Sequence, residues 1–279
     1  MPNIQWYPGH IAKAERELKE QLKLVDVVLE VLDARIPLVS HHPQVPQWVG
    51  SKQRVLTINR VDMISPKMRD RWLAWFKEQG ETPYFTNAKD GTGVKAVAKA
   101  AKAAGVQVNQ RRASRGMLPR PVRAVAIGFP NVGKSALINR LLGRRVVESA
   151  RRPGVTRRLR WTRISKELEL LDAPGVIPSK LEDQTAALKL AICDDIGDAG
   201  YDNQRVAAGL VDLLGSLASA GSLEPRYKLD PTPITGEEYI YELAELRYRG
   251  NVERAARVLL NDFRTGLLGQ ISLDFPPEL

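Results

Sequence analysis

One cysteine, three histidines and a 6% share of aromatics are all that 279 residues hold of the side chains that most often carry redox, metal and stacking chemistry. A lone Cys193 excludes an internal disulfide and fits a reducing compartment. With no His or basic partner close in sequence, it reads as a small core residue rather than a nucleophile. His41 and His42 are adjacent, so no regular strand or helix presents both rings to one metal, and a zinc site is not expected. No run reaches the roughly 20 apolar residues that span a bilayer. The opening Met1-Pro2-Asn3-Ile4-Gln5-Trp6 lacks the basic-then-apolar pattern of a secretory signal. The expectation is a soluble cytoplasmic protein without a membrane partner.

Acidic residues are nearly missing from the middle of the chain. Net charge is +4 over residues 1–101, +15 over 102–163, −2 over 164–179 and −7 over 180–279. Arg111, Arg112, Arg115, Arg120 and Arg123 precede residue 128, and a second arginine group runs from Arg144 to Arg163. A bound nucleotide needs one or two cations, so the surplus points to a larger polyanion, with a solvated basic face as the alternative.

What is present reads as an α/β chain. Val27–Leu32, Val55–Ile58, Tyr84–Phe85, Val122–Ile127 and Leu168–Leu171 have the composition of short buried strands. Helical periods over Ile11–Leu24, Pro66–Gln79, Val94–Ala104 and Lys134–Leu142 lie between them, the alternation of a mostly parallel sheet covered on both faces. Residues 107–121 lack a period and read as a connector. Helical periods alone follow residue 178: Leu181–Ile192, Asn203–Ala218, Gly236–Tyr248 and Val252–Phe263. Two domains are expected, 1–178 and an all-helical 179–279. Trp72, Trp75 and Phe76 read as packing, and Arg35 is open between nucleotide and RNA contact.

Gly128-Phe129-Pro130-Asn131-Val132-Gly133-Lys134-Ser135 is a G-x-x-x-x-G-K-S phosphate loop between a strand and a helix. Its glycines let successive N–H groups face a phosphate at a helix N-terminus, so Asn131, Val132, Gly133, Lys134, Ser135 and Ala136 are assigned to nucleotide binding. Lys134 reaches the β and γ phosphates and the Ser135 hydroxyl ligates Mg²⁺. Asp172-Ala173-Pro174-Gly175 ends the next core strand, placing Asp172 to hold the metal through water and the Gly175 N–H at the γ phosphate. Thr156 lies between and is a further candidate for the metal.

Asn59-Arg60-Val61-Asp62 caps one strand and Thr86-Asn87-Ala88-Lys89 the next. A carboxylate at Asp62 accepts from two guanine N–H groups that adenine lacks, and the second motif brings a backbone N–H to the guanine carbonyl. Together the motifs specify GTP and GDP. The base-reading motif precedes the phosphate loop, the reverse of an ordinary GTPase, so the chain has been rewired.

On that motif order, with Trp6-Tyr7-Pro8-Gly9-His10-Ile11-Ala12-Lys13-Ala14, Asp33-Ala34-Arg35-Ile36-Pro37-Leu38 and Asn261-Asp262-Phe263-Arg264-Thr265-Gly266-Leu267-Leu268-Gly269, the chain resembles the circularly permuted GTPases that mature the large ribosomal subunit, and within them the bacterial YlqF type. The resemblance implies a circularly permuted Ras-like P-loop domain with a small helical domain that helps grip rRNA, and no DNA partner. It implies a GTPase of late 50S assembly that binds the precursor in the GTP state and leaves on stimulated hydrolysis. It also implies K⁺ activation through Asn131, and a catalytic role for His10, since Val176 stands where a Ras-type enzyme has its water-orienting glutamine. Arg60 departs from the usual lysine, whose stem packs near the phosphate loop. Beside this reading stand an RNA-binding assembly chaperone merely stabilised by nucleotide, and a small-molecule phosphotransferase, which lacks an acceptor motif.

Overall fold

The computed structural model describes residues 8–143, 161–172, 183–196, 201–217, 219–232 and 234–277, with side chains from residue 15 onward and not at 172. Among them six strands form one sheet in the order β3-β2-β1-β4-β6-β5. These are β1 (Val27–Asp33), β2 (Gln53–Asn59), β3 (Pro83–Thr86), β4 (Val122–Ile127), β5 (Trp161–Arg163) and β6 (Leu168–Asp172). All neighbours are parallel except the β5–β6 pair at the edge. β1 is buried along its whole length, as a strand covered on both faces must be.

Strand alternation sorts the core. Val28, Val125, Ile127 and Leu171 face α1 (Pro8–Leu22) through Leu18 and Leu22, and reach α2 (Val45–Val49). Val27, Leu29, Ala124, Ala126 and Leu170 face Val97 and Ala101 of α4 (Val94–Ala113) and Ile138 of α5 (Lys134–Leu142). Trp72 and Phe76 of α3 (Pro66–Glu78) pack on Leu32, Leu56 and Ile58, so this aromatic group is core. Ser65 starts α3 by accepting the Met68 N–H, with Pro66 in the first turn, where a missing N–H costs nothing.

The region read as connector is half helix, because α4 continues to Ala113. Its residues 107–113 are mostly good helix formers, and periodicity fades there because that end of the helix has left the sheet, with Val106 exposed.

Beyond residue 183 come α6 (Gln184–Cys193), α7 (Asn203–Ser216), α8 (Glu224–Tyr227), α9 (Gly236–Tyr248) and α10 (Val252–Thr265). Asp183, Asp202 and Asn251 cap α6, α7 and α10, and Thr235 and Glu238 form a capping box at α9. Their apolar faces build a core around Leu210, Leu243, Leu259 and Phe263 that is continuous with Phe129, Val132 and Leu137 around the phosphate loop. The segment after Gly266 returns across the sheet end, where the Leu273 and Asp274 N–H groups donate to Arg35 O and Asp274 pairs with Lys189 at 2.7 Å. The expected boundary at 178/179 lies outside the described residues.

Candidate guanine-nucleotide site

The parallel strands end along one edge, where ligands of such sheets bind. Registry aligns Asp33, Asn59 and Thr86 across the ends of β1, β2 and β3, and β4 runs straight into Gly128. Gly128 (φ 148°) and Gly133 (φ 101°) hold backbone conformations open to glycine. A Cβ on Gly128 would strike the Val31 carbonyl, and one on Gly133 the Asn59 amide.

Asn59 ties the motifs together. Its Nδ2 donates to Val132 O at 2.9 Å, and its Oδ1 accepts from Thr86 Oγ1 and Ala88 N, both at 3.1 Å. The residue named from sequence as base-reading is thus a clamp between three loops. The Ala88 N–H is engaged by Asn59 and the Lys89 N–H by Asn87 Oδ1 at 2.9 Å, so the backbone N–H that this motif offers the guanine carbonyl has to be shared or redirected. Asp62 projects from the turn Val61–Met63 and is exposed.

Lys134 is buried, its Nζ donating to Phe129 O at 2.7 Å and Gly128 O at 3.2 Å. Ser135 and Ala136 follow in the first turn of α5. Asn131 holds φ at 56°, a region asparagine tolerates, and its Nδ2 donates to Asp194 O at 2.7 Å. That places the Asn131 carbonyl to accept from Arg60 Nη2 at 2.6 Å. Arg60 therefore reaches the phosphate loop through its guanidinium, with Asp33 behind it at 3.4 Å.

The sequence left Arg35 open between nucleotide and RNA, and the structure corrects both. Arg35 is fully buried, donating to both Asp33 oxygens at 2.7–2.9 Å and to Cys193 O at 3.0 Å. Burial makes ionised Asp33 costly, yet Arg35 and Arg60 outweigh it and hold this carboxyl below the usual carboxylate range. Asp195 lies in the same buried cluster with neither oxygen hydrogen-bonded among the described residues. Burial, reinforced by the Asp33 charge, pushes its carboxyl well above the ordinary value. Burial likewise pushes the Cys193 thiol up, which suits a core residue. His41 turns to Glu30 at 2.6 Å while the His42 ring stacks near Trp48, so the two rings serve different contacts.

A cleft of about 630 Å³ gathers Asn59, Arg60, Asp62, Asn87, Ala88 and Lys89 with Asn131, Gly133, Lys134, Ser135 and Ala136. Val132 is buried beneath it. Asp172 ends β6 opposite Ala126, one strand from the phosphate loop. Thr156, Gly175 and Val176 lie outside the described residues, as does the His10 side chain, although its backbone is in the first turn of α1. The cleft's other wall escaped sequence reasoning. Asp194, Asn203, Arg257, Leu260, Asn261, Arg264 and Thr265 come from the helical region. The i, i+4, i+8 spacing of Arg257, Asn261 and Thr265 on an amphipathic helix was the available signal.

The sequence pattern of the family described as "50S ribosome-binding GTPase" matches residues 123–212. The crystal structure of GNP-bound YlqF from T. maritima superposes with a TM-score of 0.66 at 24% identity, covering 96% of this chain and all of that one. Fold and motifs define a circularly permuted P-loop GTPase. Ribosome biogenesis GTPase A of Bacillus cereus is 36% identical over 99% of this chain and 95% of its own length, and that of Priestia megaterium 37% over 99% and 98%. Mitochondrial ribosome-associated GTPase 1 of Mus musculus is 31% identical over 97% and 90%. The chain belongs to the ribosome biogenesis GTPase A family. Among the described residues no single helix is long and apolar enough to cross a membrane.

Proposed function

We propose that this GTPase of ribosome biogenesis binds a late large-subunit precursor in its GTP form and leaves when the particle stimulates hydrolysis. The observation that carries the reading is a base-reading loop, a phosphate loop and a helical bundle meeting in one cleft, with a basic groove at the opposite end of the sheet. That groove is lined by Lys52, Arg111, Arg112, Arg115 and Met117, beside the starts of β1 and β2. Arg120 is neutralised there by Asp26 at 2.7 Å, whereas Arg111 and Arg115 have no acidic partner among the described residues. This cationic line suits an rRNA backbone.

Water attacks the γ phosphate. Lys134, once drawn from the Gly128 and Phe129 carbonyls to the phosphates, offsets the charge that spreads over their oxygens. Ser135, Asp172 and Thr156 would hold Mg²⁺, and that ion would supply positive charge to offset the negative charge of the phosphates. The Asn131 Nδ2 is anchored on Asp194 and its Oδ1 accepts no hydrogen bond from the described residues, an arrangement that suits a K⁺ ligand. His10 orients the water when the particle is bound, and Gly175 donates to the γ phosphate.

GTP turnover by the protein with and without its own large subunits, in K⁺ and in Na⁺ at matched ionic strength and with ATP as control, tests this. The expected result is GTP-only stimulation by particles, faster in K⁺, abolished in His10→Ala with GTP binding kept. Unstimulated turnover would instead make the protein a nucleotide-stabilised chaperone. Particle binding should weaken with salt, and Arg111→Ala/Arg115→Ala should flatten the log–log slope by about 0.7 for each phosphate that is no longer neutralised. A slope near zero in the parent would make the groove a solvated face.

A further inference from the structure

The bundle wall of the cleft has polar side chains that make no hydrogen bond or ion pair among the described residues. Along α10, Ala255, Ala256, Leu259 and Phe263 are buried in the bundle. Arg257, Asn261 and Thr265 stand one turn apart on another side, all lining the cleft shared with Lys134 and Asp62. Thr265 Oγ1 is engaged with Asn261 O at 2.7 Å, and Arg264 with Ile192 O and Ala191 O at 2.8–2.9 Å. Arg257 and the Asn261 side chain have no hydrogen-bond or ion-pair partner among the described residues.

The helix is held in place against the base-reading loop. Gln270 Nε2 donates to Asp62 O at 3.2 Å, and a Cβ on Gly266 would touch Met63 Sδ at 3.4 Å. The Thr265 end of α10 therefore sits beside the base-reading turn. At 1.5 Å per residue Asn261 lies about 6 Å and Arg257 about 12 Å further along. At the same wall, Asp194 after α6 holds the phosphate loop through Asn131. A nucleotide laid from Asp62 to Lys134 thus runs past α10 with its base toward Thr265.

We propose that α10 completes the nucleotide site, Asn261 hydrogen-bonding the ribose hydroxyls and Arg257 the phosphate chain, so that the helical bundle itself grips guanine nucleotide. The inference rests on the cleft being the GTP site. A guanidinium is suited to paired phosphate oxygens, and an amide both donates to and accepts from a ribose diol. Nucleotide affinity then depends on how the bundle is docked, which links the nucleotide to the part of the chain that the family resemblance associates with RNA.

Full-length variants and fluorescent GDP, with guanosine as competitor, test this. Arg257→Ala is expected to raise the GDP Kd about 10- to 100-fold, the range for a charge-assisted hydrogen bond, with guanosine affinity unchanged and Arg257→Lys restoring part of the loss. Asn261→Ala is expected to weaken GDP and guanosine alike, by about 2- to 10-fold. Arg254→Ala, which stacks on Tyr248 outside the cleft, serves as the neutral control. Unfolding midpoints without nucleotide establish that each variant folds. If Lys134→Ala weakens GDP but Arg257→Ala and Asn261→Ala do not, the role of α10 is overturned and the site stands. If Lys134→Ala leaves GDP affinity unchanged, the site reading itself fails.

Discussion

Arg35→Ala is expected to lose about 3–5 kcal/mol of stability, read as a lower urea midpoint at unchanged slope, because it strands a buried carboxylate. Asp33 has no access to water, and its carboxylate accepts from the Arg35 backbone N–H and from Nε and Nη2 along one edge of the Arg35 guanidinium. The variant also removes the hydrogen bond to Cys193 O that joins the sheet end to α6. Arg35→Lys keeps the charge without the fork and should fall between. The pH dependence has a definite sign. Asp33 is held below its ordinary value, so the unfolded chain binds more protons in between, and this stability is present above the ordinary carboxylate range and lost as pH falls through the lowered value. Asp195 acts oppositely. Its raised carboxyl favours the folded state most below the ordinary range and less as pH rises toward the raised value. The parent should lose more stability on the acid side than Arg35→Ala does, and matching acid limbs would mean that Asp33 is not the group responsible.

The second large effect belongs to Asp62. Asp62→Ala should lose roughly 100-fold or more in GTP affinity while ATP binding stays negligible, since two charge-assisted hydrogen bonds to the base disappear. Asp62→Asn presents an amide donor where the parent presents only acceptors, so it should gain affinity for xanthosine triphosphate, which carries a carbonyl in place of the guanine amine. Competition against fluorescent GDP separates these cases. Equal GTP affinity in parent and Asp62→Ala would remove the carboxylate from base recognition. Asp62 backbone geometry is fixed by the Val61–Met63 turn and by Gln270, so the substitution leaves the loop in place.

Much of this was legible in the chain because its signals are local. β4 and α5 have the ends read from Val122–Ile127 and Lys134–Leu142, since a strand, a glycine loop and a helix start are each written in adjacent residues. β5 was missed, being three residues at a sheet edge with two of them exposed, too short to show alternation. The site divides in the same way. The phosphate and base motifs announce themselves by type and spacing, whereas Arg257 and Asn261 join them only after folding brings α10 beside a turn about 200 residues earlier in the chain. Arg35 misled because a cation after a nucleotide-fold strand suggests ligand contact, and only three-dimensional burial reveals that its partner is two residues away.

The sheet order has a consequence for how the chain is made. β1 is central, flanked by β2 and β4, yet about 90 residues separate its end from the start of β4. At 5–20 residues per second, one side of β1 waits roughly 5–20 seconds of synthesis for its neighbour, an open template for other strands. Glu30 interrupts the apolar run Val27-Val28-Leu29 and Val31-Leu32, and its carboxylate is taken up by Arg54 of β2 at 2.7 Å. A charge in mid-strand makes stacking of like chains costly during that interval, while β2 is the neighbour that supplies its partner.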